Sequence, residues 1–207
     1  VYVLTLNANA TIQDLPGNAM LADATDTWQR GEASDGSGDL DITDTTGRLT
    51  IIGVGSDGGT TIDANGIDRT FQVLDGGSAT LRELALTGGV VTGSSEGGAI
   101  HNSGSLLAQG VRLFGNLSDA AGGAVFNTSA GDVTLDASTV TQNQAFDGGG
   151  VYNSDNAVVT IRNSEINLNV SGNDGGGVYN DLDGIRLAQL IWRHAVAGGQ
   201  VLINQRL

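Results

Sequence analysis

The chain has 207 residues with 33 Gly, one Pro and no Cys, which fits one domain or part of one and excludes structural disulfides and thiolate metal sites. Asp and Glu number 23 against nine basic residues, all Arg, for a formal net charge of −14. Such a surface repels nucleic acid and anionic membranes, tolerates hydrated cations, and equally serves plain solubility in an extracellular or salt-exposed setting. No run of about 18 apolar residues occurs, so no membrane insertion of this segment is expected.

The chain opens on Val1-Tyr2-Val3-Leu4-Thr5-Leu6, strand-like and without an initiator Met, and reads as a fragment or a processed product. Asp14 to Trp28 holds helix-tolerant residues (Ala19, Met20, Leu21, Ala22) outside any repeat register. It is expected to be an excursion or a cap over the open strand edges of a repeat body. Asp35-Gly36-Ser37-Gly38-Asp39-Leu40-Asp41 has the acid density of a calcium loop, but lacks the sixth-position Gly and distal Glu of an EF-hand, and so reads as a loop entering a strand. Leu49–Gly53, Thr60–Asp63 and Thr70–Val73 are short strands bounded by Gly and Asn.

Four copies of one hexapeptide follow: Gly97-Gly98-Ala99-Ile100-His101-Asn102, Gly122-Gly123-Ala124-Val125-Phe126-Asn127, Gly148-Gly149-Gly150-Val151-Tyr152-Asn153 and Gly175-Gly176-Gly177-Val178-Tyr179-Asn180. Their starts lie about 25–27 residues apart, the interval lengthening by one with each copy. That period is too short for helix pairs and fits one turn of a parallel β-solenoid, with three short strands and three turns per coil. Counting back from Asn116, Asn143 and Asn169, with Gly89 in the matching place, gives apolar columns: Ala79/Leu106/Val133/Val159, Leu81/Ala108/Leu135/Ile161 and Leu86/Leu113/Val140/Ile166. The intervening Thr80/Leu107/Thr134/Thr160 and Arg82/Gln109/Asp136/Arg162 should face outward, with Asp136 and Arg162 able to pair across adjacent coils. Ile100, Val125, Val151 and Val178 should point inward, and Asn102, Asn127, Asn153 and Asn180 should stack as a column satisfying backbone groups at the bend. After Gly184 the repeat breaks into Ile185–His194, whose apolar spacing is helical. All 23 acidic residues and six of the nine Arg precede residue 185, so the body carries −17 and the tail +3. The expected organisation is an N-terminal cap with the first irregular coil or coils over 1–48, repeats over 49–184, and a divergent tail over 185–207, either a helical cap or a non-native fusion.

On those hexapeptides, residues 75–180 resemble the β-helix proteins of the chlamydial polymorphic outer-membrane type, whose repeat reads Gly-Gly-Ala-Ile, one or two variable residues, then Asn. Gly38–Gly53 and Leu84–Gly89 look like the lead-in of large secreted bacterial proteins built on this repeat. The resemblance implies an all-β, right-handed, single-stranded parallel β-helix of the pectate-lyase-like kind, with about 25–27 residues per coil and capping segments at both ends. It also implies a place on the bacterial cell surface or outside the cell. Its implications for activity are slight, since the family comprises surface adhesins, autotransporter-like passengers and proteins of unknown role.

Chemistry centres on two columns. The residues before each Gly-Gly are Glu96, Ala121, Asp147 and Asp174. Asp147 and Asp174 should be neighbours on successive coils, with carboxyls about 5–6 Å apart from strand spacing. Three roles fit: turn carboxylates accepting backbone N–H bonds, two ligands of a calcium ion, or the acid and nucleophile of a retaining glycosidase. The second column, His101/Phe126/Tyr152/Tyr179, suits either the packing of flat sugar rings or peptide side chains, or cross-strand pairing that stiffens the sheet. Together with Glu96 it forms a candidate saccharide groove. Two functions follow as expectations. One is a secreted or cell-surface scaffold presenting a long face for adhesion or carbohydrate binding, with no catalysis and no cofactor required. The other is a glycoside hydrolase or polysaccharide lyase using Asp147 and Asp174. The partner in both is a polysaccharide or cell-surface glycan, and the chain is expected to be monomeric or to associate end to end. Ice binding would need a flat Thr-x-Thr array, and Thr134, Thr139, Thr141 and Thr160 are too scattered for one.

Overall fold

A computed structural model describes residues 2–3, 27–28, 39–42, 45, 48–54 and 59–181. Every regular element among them is a β-strand, and none is a helix long and apolar enough to cross a membrane. Tyr2–Val3 and Thr27–Trp28 form a small antiparallel pair, while every other described strand joins one of four parallel sheets. The solenoid expected from the hexapeptide period is therefore present, as an all-β parallel stack.

The first sheet, which carries the motif, stacks Leu40–Ile42, Phe71–Val73, Ile100–Asn102, Val125–Asn127, Val151–Asn153 and Val178–Asn180 in that spatial order. A second stacks Leu49–Ile52, Ser78–Arg82, Ser105–Gln109, Asp132–Asp136 and Val158–Arg162. A third stacks Thr60–Asp63, Leu84–Thr87, Arg112–Phe114, Thr139–Thr141 and Glu165–Asn167. The fourth, of two-residue strands, stacks Val90–Val91, Leu117–Ser118, Gln144–Ala145 and Val170–Ser171. The sequence reading gave three strands per coil. The fourth escaped it because so short a strand shows no period, and its outward column mixes Val90, Leu117, Gln144 and Val170. Ahead of residue 49, Leu40–Ile42 pairs with Phe71–Val73.

The register is the one the columns require. Leu106 lies opposite Ala79 and Val133, Leu135 opposite Ala108 and Ile161, and Val140 opposite Leu113 and Ile166. These residues build one continuous core with Ile100, Val125, Val151 and Val178. On the wet face Arg162 pairs with Asp136 at 3.2 Å. Being half exposed, that pair adds little stability.

Two ladders of buried amides fix the coils against one another. Nδ2 of Asn102 donates to Oδ1 of Asn127 at 2.8 Å, Asn127 to Asn153 at 2.8 Å, and Asn153 to Asn180 at 2.7 Å. Each also donates to a nearby carbonyl, that of Gly104, Gly131 or Ala157. In the second ladder Asn116 donates to Asn143 and Asn143 to Asn169, both at 2.9 Å, while the amides of Gly89, Asn116 and Asn143 donate to the Oδ1 one coil on. A buried amide left unpaired is costly, so each Asn demands another at the same height on the next coil. Part of the change in coil length falls at the bend that the motif ladder spans. Ser103 and Gly104 alone separate motif strand from second-sheet strand in one coil, where the next uses Thr128–Gly131, closed by a 2.8 Å bond from Gly131 N to Thr128 O.

The corners use left-handed backbone. Glu83, Gly110, Ala137 and Asn163 turn the chain between the second and third sheets with φ between 48° and 62°, and Gly88, Gly115, Gln142 and Leu168 between the third and fourth with φ between 52° and 68°. Glu83, Ala137, Gln142 and Leu168, being neither Gly nor Asn, carry a cost of about 1 kcal/mol each.

Asn127→Asp keeps the shape but removes the donors to Asn153, Gly131 and Val158; it should cost about 3 kcal/mol in urea unfolding, several times the effect of an exposed Asn→Asp change. Leu168→Asn places a residue tolerant of left-handed φ where an exposed leucine stands at φ 52°, and should raise stability by about 0.5–1 kcal/mol, seen as a melting temperature about 1–4 °C higher.

Candidate functional site: the motif face and its acidic border

Strand alternation sends the middle residue of each motif outward, and parallel register places those residues directly over one another. His101, Phe126, Tyr152 and Tyr179 form a continuous stack with ring centroids 5.3, 5.1 and 4.9 Å apart and planes inclined by 23°, 18° and 21°. All four predicted column residues therefore come together. Their faces, however, are turned to one another along the solenoid axis, so the column offers ring edges and polar tips to solvent, and Phe126 is buried. Stacking at this spacing stiffens the sheet.

The first glycine of each motif sets the width of this face. Gly97, Gly122, Gly148 and Gly175 all have φ between 60° and 75°. A Cβ at Gly148 would lie 2.9 Å from the Tyr152 Cβ, and at Gly175 2.7 Å from that of Tyr179. The turn thus lies directly against the root of the aromatic side chain, which only a residue without Cβ permits.

The acidic column also forms. Gly97 N donates to Ala121 O, Gly122 N to Asp147 O and Gly148 N to Asp174 O, so Glu96, Ala121, Asp147 and Asp174 sit on successive coils. Asp147 is used by the scaffold: its Oδ1 accepts from Asn173 Nδ2 at 2.9 Å and from the Asp174 backbone N–H at 3.0 Å. That is the turn-carboxylate role. Ala121 separates Glu96 from the two aspartates, so the structure divides the predicted acids into two groups. Among the described residues no group of three or more His, Cys, Asp or Glu could hold a metal ion. On the far side of the column the Tyr152 hydroxyl donates to Asp181 Oδ2 at 3.0 Å. Burial first, then that bond and the surrounding carboxylates, hold the phenol well above its ordinary range, so Tyr152 remains a neutral donor.

Glu96 belongs to a different neighbourhood, at the N-terminal end of the same face. There Gln72 continues the aromatic column above His101, and its Oε1 accepts from Arg69 Nη1 at 3.3 Å. Arg69 is buried, with Nε 3.3 Å from Asp39 Oδ2 and 3.6 Å from Asp68 Oδ1. Burial pushes Asp39 up to about 6, with Arg69 only partly opposing it, and pushes Glu96 up with the same opposition. Sequence reading missed this cluster. Asp39 and Arg69 meet only because Leu40 pairs with Phe71 across a coil longer than the motif period.

Comparison with protein-family models finds no matching family, and comparisons with curated proteins and with solved structures find no match either. The resemblance read from the hexapeptides therefore stands on those motifs alone.

Gly148→Ala should cost about 2–3 kcal/mol, since it meets both a left-handed φ and the Tyr152 Cβ, whereas Gly93→Ala, at φ 70° with nothing within 4 Å, should cost about 1. Urea unfolding of both variants isolates the close approach; equal effects would remove it.

Proposed function

We propose that this chain is a non-catalytic solenoid scaffold of a secreted or cell-surface protein, presenting its motif face for adhesion through binding of extended glycans. The observation that carries this reading is the unbroken outward column His101–Phe126–Tyr152–Tyr179, bordered by Asp147, Asp174 and Asp181 on coils whose register is not interrupted. A repeat of about 4.8 Å per coil suits a long ligand laid along the axis better than a small one held at a point. Because the rings stack on each other, contact is made by ring edges, tyrosine hydroxyls and carboxylate oxygens, which accept hydrogen bonds from sugar hydroxyls. The net charge of −14 selects neutral glycans over sulfated or uronic ones. The resemblance to chlamydial-type surface proteins agrees with this location.

The enzymatic alternative draws on Asp147 and Asp174 standing on adjacent coils. The engagement of Asp147 by Asn173 and by the Asp174 N–H favours the scaffold role.

Affinity electrophoresis against neutral and acidic polysaccharides tests the proposal. Retardation by a neutral glycan is expected, weakened about tenfold or more in Tyr179→Ala. Retardation only by acidic glycans, or none at all, overturns it; release of reducing ends that is lost in Asp147→Asn would establish the enzyme instead.

A further inference from the structure

The N-terminal junction of the stack is built unlike the rest of it. Apolar columns join the coils throughout, Ile42 and Ile51 included, and amide ladders add to them in the later coils. Among the described residues Leu40–Ile42 is the terminal strand of the first sheet, with a partner on one side only. Its attachment includes backbone bonds from Leu40 N to Thr70 O and from Leu74 N to Ile42 O, each 3.1 Å. The amide ladder does not reach it: Asn102 lies opposite Val73, and its buried Oδ1 has no donor.

In place of a ladder stands a buried charge cluster. Asp39 heads the strand with a side chain 3% exposed, and Arg69 reaches it from the turn entering the next coil with a side chain 8% exposed. The pair is close without being well made. Among the described residues neither Asp39 Oδ2 nor Arg69 Nε has a hydrogen-bond partner, and the neighbouring buried Thr70 Oγ1 has none either. Burying two charges costs several kcal/mol per ion unless their remaining hydrogen-bonding capacity is met. Three more carboxylates crowd the same arginine or aspartate: Asp68 from the turn, Asp41 from the strand itself, and Glu96 from the loop before Gly97. Among the described residues one cation thus faces four acids, and the one imidazole on this face, His101, lies opposite Gln72.

We propose that Asp39, Arg69 and Glu96 form a pH-operated clasp, which holds Leu40–Ile42 on the stack in mildly acidic solution and lets it loosen at neutral pH. Protonating Asp39 or Glu96 relieves the excess of negative charge and turns a carboxylate oxygen into a donor. Ionised, the same groups stay buried with one arginine to share. The sign follows from linkage. Asp39 holds its proton to about 6 when folded against 3.8 when free, so stability from this group is present at low pH and lost as pH rises through about 6, with Glu96 acting in the same direction. Loosening bares the backbone edge of Phe71–Val73, an edge able to pair with another extended chain.

Hydrogen exchange on the full chain, corrected for intrinsic rates, tests this at the Leu40 and Leu74 amides. Their protection should fall about tenfold between about pH 5 and pH 7.5, while that of Val133 and Leu135 stays constant. Asp39→Asn should flatten the profile. Glu96→Gln, at a less buried position, should reduce its slope with the stack intact, which keeps the test decisive if Asp39→Asn does not fold. Protection at Leu40 and Leu74 that is independent of pH, or a profile unchanged in Glu96→Gln, overturns the clasp.

Discussion

Parallel coils stay in register here because a buried side-chain amide can be satisfied only by another at the same height one turn away. Each Asn of the motif ladder donates to the next and to a carbonyl of its own bend, so a coil displaced by one residue would lose several buried hydrogen bonds at once. The same slip would turn Val125, Val151 and Val178 toward water. Apolar columns alone are more forgiving, since Leu, Val, Ile and Ala exchange places along them with little penalty. Amides supply the specificity that the narrow aliphatic core lacks.

That rigidity explains how the motif face is organised. Glycines with left-handed φ bring the acidic turns against the roots of the aromatic side chains, and the constant coil rise stacks the Phe126, Tyr152 and Tyr179 rings in van der Waals contact. The outcome is a flat, periodic strip with hydroxyls and carboxylates at its margins. Most of its chemistry is invested in holding itself together: Asp147 caps the turn at Asn173–Asp174, and Tyr152 is tied to Asp181. Side chains so occupied hold the strip in one arrangement.

The N-terminal end follows another logic. Where the repeat period is broken, the ladder ends at Asn102 and a charge cluster stands beside the apolar columns that join the coils. A buried arginine among several acids is a weaker and more condition-dependent connector than an amide ladder. The stack is thus uniform in its middle and conditional at the edge where Leu40–Ile42 attaches.

The solenoid was legible in the chain alone, because a repeated coil imposes the same physical demand once per turn and the answers recur where they can be counted. The Asn columns, the inward Val and Ile residues, the aromatic column and the Asp136–Arg162 pair could all be read for that reason. Most of 1–38 and all of 182–207, including the expected caps, lie outside the described residues. What does not repeat emerged only in three dimensions. The fourth strand of each coil is too short for a period, and the turning of ring faces toward one another follows from side-chain torsions and not from spacing. The fold also brought Asp39 to Arg69, since their meeting depends on a longer coil whose irregular length hides its register. Periodic contacts are written in the spacing of a chain, whereas singular ones depend on how a particular loop returns.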